Sequence, residues 1–177
     1  MGRGSIYLVG MMGAGKTTVG RALAQRMQMA FADTDKLLVE RTGVSVGTIF
    51  EIEGEEGFRR REACMLEELS GREDCVIATG GGAVLRHDNR TLLRSTGTVV
   101  YLRARVESLW QRMRNDTTRP LLATADPRAT LTRLLAEREA LYEEVAHVIV
   151  DTGLQSTGSL VARVVVALRE HAAGAPR

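Results

Sequence analysis

Apolar and polar positions along the 177-residue chain follow two periods that take turns from one end to the other. Ser5–Val9 is a short apolar run, and the spacing predicts a strand. A glycine-rich loop follows, and then Val19, Leu23 and Met27 recur at helical spacing through Lys16–Met27. Met29–Ala32 is a second strand-like run that ends in Asp33, Thr34 and Asp35. Lys36–Arg41 reads as a helix closed by Thr42 and Gly43. Ser45 opens another helix through Ile49 and Phe50, Gly54 breaks it, and Glu55–Leu69 is a longer amphipathic helix. Cys75–Ala78 is a buried-strand candidate that runs into Thr79 and three glycines, Gly80, Gly81 and Gly82.

The alternation continues to the C-terminus. The pattern predicts a helix over Asn89–Arg94, a β-branched strand over Thr98–Leu102 and a helix over Val106–Arg114. Asn115–Asp126 is polar, carries a proline and has no period. Pro127 suits a helix start, and that helix is expected to run to about Tyr142. His147–Val150 is the last strand and Ser159–His171 the last helix, with residues 172–177 expected to fray. Strands separated by helices imply an α/β fold, a parallel sheet with helices on both faces. No linker or repeat divides the chain, so residues 1–177 read as one domain. Ligands of such sheets sit at the carboxyl ends of the strands. Three features fall there: the glycine loop after strand one, the DTD after strand two, and the GGG after strand three.

Composition narrows the picture a little. With 44% hydrophobic and 26% charged residues the chain resembles an ordinary soluble protein. No apolar run approaches the roughly 20 residues of a membrane span, and the N-terminus lacks the pattern of a signal peptide. The expected compartment is the cytoplasm, with no membrane partner. A net charge of +2 does not announce a nucleic-acid partner. Cys64 and Cys75 form no CxxC pair, and His87, His147 and His171 are scattered, so these read as packing or surface residues. Trp110, on a helix, reads as packing too. Of 24 basic residues only two, Lys16 and Lys36, are lysine. A chain that uses arginine almost everywhere has placed lysine in its glycine loop, where a compact ammonium suits phosphate oxygens.

That loop, GMMGAGKT from Gly10 to Thr17, satisfies G-x4-G-K-[ST] between a strand and a helix. Its backbone N–H groups and the helix N-terminus make an anion site. Gly13, Ala14, Gly15, Lys16, Thr17 and Thr18 are therefore the nucleotide-binding set, with Lys16 reaching the β and γ phosphates and Thr17 ligating Mg²⁺. No N-K-x-D or D-x-x-G string occurs, which argues against a GTP switch. Asp33 and Asp35 lie beside the phosphate site and point to the same side if extended geometry persists. One then serves Mg²⁺ and one an acceptor hydroxyl; the plainer reading is a helix N-cap. Gly80, Gly81 and Gly82 permit close backbone approach to a ligand, or else mark a tight turn. Among Arg59, Arg60 and Arg61, about 100° apart on a helix, one is expected to face the site, braced by Glu62 three positions on. Arg119 sits in the unpatterned stretch, which suits a lid over the phosphoryl group. By itself Arg138, on the next helix, reads as a solvated arginine.

Together the motifs resemble shikimate kinase. The matching strings are GMMGAGKTT, DTDKLL, RTG, IFEIEGEEGFRRRE, VIATGGGAV, TRPLL, EREALY and VDT, in family order from about residue 5 to residue 152. The resemblance implies a three-layer α/β/α P-loop kinase fold around a five-stranded parallel sheet. It implies a lid over about 115–126 and a substrate-binding segment over about 35–62. It further implies a monomeric enzyme that phosphorylates the 3-hydroxyl of shikimate with ATP and Mg²⁺, toward chorismate and the aromatic amino acids. Carried over by position, Lys16, Asp35 and Arg119 are catalytic, and Asp35, Arg59, Gly81, Gly82 and Arg138 bind shikimate. The two arginines would grip its carboxylate. Thr17 would ligate Mg²⁺ directly and Asp33 through water. Arg112 and Arg119 would contact the nucleotide, Arg112 lying over the adenine. The segment TGLQST at 152–157 lacks the proline some members carry there, which leaves Gln155 as the adenine contact. The alternatives are a P-loop kinase for gluconate or a nucleoside monophosphate, and a silent nucleotide-binding module. The GGG and FRRRE strings argue against the first, and the intact Lys16, Thr17, Asp33, Asp35 and Arg119 against the second.

Overall fold

A computed structural model describes residues 4–116, 119–153 and 155–174. Five parallel strands, β1 (Ser5–Val9), β2 (Ala30–Asp33), β3 (Cys75–Ala78), β4 (Gly97–Ala104) and β5 (Val148–Thr152), form one sheet in the order β2-β3-β1-β4-β5. Every residue of β1 and β3 is buried, as continuous apolar runs in the middle of a doubly covered sheet require. The edge strand β5 alternates buried and exposed positions instead. Helices α1 (Lys16–Met27) and α7 (Thr157–Gly174) pack together on one side of the sheet. On the other side lie α4 (His87–Thr96) and α6 (Pro127–Val145), with α3 (Val46–Ser70) against α4. The remaining helices are α2 (Thr34–Thr42) and α5 (Val106–Met113). The result is the three-layer α/β/α arrangement.

The chain leaves β1 toward β2 but leaves β4 toward β5, so a crevice opens beyond the carboxyl ends of the central strands. Register fixes what reaches it: Leu8 and Asp33 both align with Ala78, which brings the ends of β1, β2 and β3 level.

Three local departures from the sequence pattern have physical causes. Asp33 ends β2 and caps α2, its Oδ1 accepting from Lys36 N at 3.2 Å, so Asp35 already lies in the first helical turn. The extended geometry that would have aligned the two carboxylates stops at Asp33. At Gly54 the two expected helices are nearly continuous; a φ of 70° and ψ of −179° at this one residue bends α3 there. Ion pairs flank the bend, with Arg61 clasping Glu53 across it and Arg60 holding Glu56. Finally, α7 continues through Gly174, past the expected fraying at 172. Residues 175–177 of the expected tail, 117–118 of the expected lid and 154 of the adenine segment lie outside the described residues.

Candidate active site

One cavity of about 1150 Å³ occupies the crevice, and it gathers most of the residues singled out from the sequence. Gly13, Gly15, Lys16, Thr17 and Thr18 line its floor, with Asp33, Asp35, Arg59, Gly80, Gly81, Gly82, Arg112, Arg119 and Arg138 around them. Glu62 joins them as well. Two of the expected residues lie elsewhere. Ala14 is buried behind the loop, and its N–H donates to Met11 O at 3.1 Å. Gln155 lines a separate cavity of about 740 Å³ beside Arg103 and Arg163, and its side chain bonds Asp151 O and Arg163.

The phosphate loop closes on itself. Lys16 Nζ donates to Gly10 O at 2.7 Å and Met11 O at 2.9 Å, which holds a buried ammonium over the loop. Burial lowers its pKa to about 8 despite the opposing pull of Asp35. The Thr17 hydroxyl donates to Asp33 Oδ2 at 2.6 Å, so two hard oxygen donors stand together at the start of α1. Met11 and Met12 are both buried, Met11 in the core and Met12 at the wall of the cavity. Arg112 bridges the loop to the end of β5 by donating to Gly13 O and Gly153 O.

Opposite the loop lie carboxylates and guanidiniums. Asp35 Oδ1 is buried without a hydrogen-bond partner. Burial, and then the Asp33 carboxylate, push this carboxyl above the usual aspartate range. Arg59 is the buried member of its triplet, whereas Arg60 and Arg61 are exposed. It donates to Glu62 at 2.9 Å and to Glu55 at 3.0 Å. Glu62 is fully buried, and burial raises its pKa to about 7 against the pull of Arg59. Arg138 is only 3% exposed, and neither its Nε nor its Nη1 has a partner. The solvated reading of its position is thereby corrected. Helical periodicity could have flagged it: Leu131, Leu134, Leu135, Arg138, Tyr142 and Val145 share the buried face of α6.

The glycines after β3 serve a purpose the sequence did not single out. A Cβ on Gly82 would collide with the guanidinium of Arg59, and one on Gly80 with the carboxylate of Glu62. Neither glycine has a positive φ, so the need is for space. The sequence reading expects a ligand to make the close approach; at Gly80 and Gly82 the protein's own charged side chains make it. Gly81 packs against the phosphate loop, where a Cβ would lie 3.3 Å from Met12 N. Arg119 lines the cavity from the unpatterned stretch, where a 3₁₀ turn at Pro120–Leu122 follows it, and its Nε donates to Asp116 at 3.0 Å. Glu62 was read only as a brace for Arg59; its place on the cavity wall follows from the helical offset that puts both on one face of α3.

Comparison with known proteins agrees with this geometry. The family model for shikimate kinase matches residues 12–169. The shikimate kinase of Nitrosospira multiformis is 56% identical over 86% of this chain and 78% of its own length. That of Chromobacterium violaceum is 55% identical over 92% of this chain and 88% of its own. Among solved structures, shikimate kinase from Acinetobacter baumannii in complex with shikimate superposes with a TM-score of 0.93 at 44% identity, over 95% of this chain and 94% of that one. With a phosphate loop and a ring of buried carboxylates and guanidiniums sharing one crevice, and with likeness of this extent, the chain belongs to the shikimate kinase family.

Proposed function

We propose that this protein transfers the γ-phosphoryl group of ATP to the 3-hydroxyl of shikimate through the residues that line the crevice described above. One observation carries the reading. An unpartnered buried acceptor, Asp35 Oδ1, and unpartnered buried donors, Arg138 Nε and Nη1, line the same cavity as Lys16. Buried polar atoms without partners are costly to a fold and point to a ligand that completes them. A cyclic polyol with a carboxylate has the matching chemistry: its acid suits arginine, and its hydroxyls suit an aspartate.

In this reading Arg138 and Arg59 hold the acceptor's carboxylate, and Gly81 and Gly82 line its ring. Asp35 accepts the hydrogen bond of the reacting hydroxyl, and its raised pKa suits it to take the proton as the oxygen bonds to phosphorus. The bond between the γ-phosphorus and the bridging oxygen breaks, and ADP leaves. Lys16 and Arg119 offset charge on the transferring group, and the backbone of 13–18 cradles the phosphates. Arg112 holds the adenine end; Gln155, in the neighbouring cavity, has a role in base recognition only if the segment at 152–157 turns toward it. Residues 115–126 act as the lid and 35–62 as the acceptor-binding segment of one domain.

The Thr17 hydroxyl and the Asp33 carboxylate, 2.6 Å apart, fit a hard divalent cation that keeps most of its waters. Mg²⁺ held there would neutralise phosphate charge. Among the described residues no helix is long and apolar enough to cross a membrane. We read the enzyme as a cytoplasmic monomer with small-molecule partners alone.

The test is an ADP-release assay across shikimate, gluconate and several nucleoside monophosphates. Turnover with shikimate at least a hundredfold above the others is expected. Preference for any other acceptor would overturn the assignment.

A further inference from the structure

A tyrosine that the assigned roles leave out stands where the two halves of the site meet. Tyr142 is fully buried one turn beyond Arg138 on the same face of α6. Its ring stacks on Tyr101 of β4, with centroids 5.0 Å apart. Its hydroxyl donates to Gly81 O at 2.5 Å and lies 3.5 Å from Met11 Sδ in the phosphate loop. Arg138, one turn before it on α6, lines the cavity. Gly81 in turn packs against the backbone of Met12.

One hydroxyl on α6 therefore contacts the glycine loop after β3 and the phosphate loop. A phenylalanine at this position would fill the core and stack on Tyr101 equally well. Packing accounts for the ring but not for the oxygen. A buried hydroxyl is costly unless its bonds are made, so its presence has a local purpose. Gly81, which it bonds, and Arg138, one turn before it on the same helix, are both acceptor contacts in the reading above.

We infer that Tyr142 is a positioning residue whose hydroxyl ties the helix that carries Arg138 to Gly81 and the phosphate loop and so sets where the acceptor lies relative to the transferring phosphoryl group. The inference rests on the assignment of Arg138 and Gly81 to the acceptor. The hydroxyl does not touch the reacting atoms. Its effect is to hold the glycine loop and the arginine at one fixed offset.

Tyr142→Phe, with a melting curve to confirm the fold, tests this by calorimetric titration with shikimate and separately with ADP. Shikimate should bind about three- to tenfold more weakly, the effect of one buried hydrogen bond, with ADP affinity within twofold of the parent. Amide hydrogen exchange at Gly81 and Gly82 should quicken in the same variant. Unchanged shikimate affinity, or equal weakening of both ligands, would overturn the inference. Arg138→Lys is measured in parallel. If it weakens shikimate while Tyr142→Phe does not, only the role of Tyr142 fails; if neither does, the assignment of α6 to the acceptor fails.

Discussion

The guanidinium of Arg59 fills the space that a side chain on Gly82 would need. The glycine and the arginine come from different elements, 23 positions apart, yet each is intelligible only through the other. Gly82→Ala has no conformational objection to overcome, since its φ is −98°. Its methyl group must instead push Arg59 away from Glu62. Shikimate KM should rise about tenfold or more, on the scale of a displaced buried ion pair, while ATP KM stays near the parent value. Gly71→Ala, where the nearest atom would be Glu68 O at 3.9 Å, is the control and should change neither. A normal shikimate KM for Gly82→Ala would mean that the guanidinium is not needed where it lies.

The buried state of Lys16 gives a pH dependence with a definite sign. Its pKa is lowered to about 8, so the ammonium is fully charged only below that. Raising the pH through 8 removes the charge from the free enzyme, and ADP affinity should fall by up to about tenfold per pH unit. Bound phosphates raise the pKa again, so binding at pH 8.5 should take up part of a proton. Titration calorimetry in two buffers of different ionisation enthalpy measures that uptake. Equal heats in both buffers would show that Lys16 is charged throughout.

Much of this architecture was legible in the chain, and the exceptions share a cause. β1, α1 and β3 were readable to the residue because each has an uninterrupted period and a glycine or aspartate at its end. The cavity's floor followed from GMMGAGKT alone. Arg138 was the harder case: its period places it on the apolar face of α6 with Leu131, Leu134, Leu135 and Tyr142, but a charged side chain ordinarily favours water. It is buried at the wall of a crevice that the glycine loop after β3, from a distant part of the chain, also lines. The DTD string misled in the opposite way: period two was extended through Asp35, but the carboxylate of Asp33 captures Lys36 N and starts a helix first. Local competition for a backbone N–H decided that turn.

Arg59 meets two glutamates of different kinds. Glu62 is fully buried, whereas the side chain of Glu55 is 48% exposed. An exposed carboxylate is cheaply returned to water, so Glu55 is the partner an incoming acid competes with. Glu55→Gln should tighten shikimate binding by about two- to fivefold, the worth of a half-exposed ion pair. Weaker binding in this variant would mean that Glu55 holds Arg59 in place for the acceptor.

Asp33 has two duties that one substitution can separate. It caps α2 by accepting from Lys36 N, and it accepts from the Thr17 hydroxyl beside the phosphate loop. Asparagine caps helices about as well as aspartate, so Asp33→Asn should alter the melting temperature by only a few degrees. The charge is another matter. A hard divalent cation is held mainly by anionic oxygen and water, and losing the carboxylate's charge weakens that hold. The Mg²⁺ concentration for half-maximal rate should rise about tenfold, with shikimate KM nearly unchanged at saturating Mg²⁺. Asp33→Ala, which loses the cap as well, should add about 1 kcal/mol of destabilisation to the same Mg²⁺ defect. A parent-like Mg²⁺ requirement in Asp33→Asn would leave the cap as the sole purpose of this aspartate.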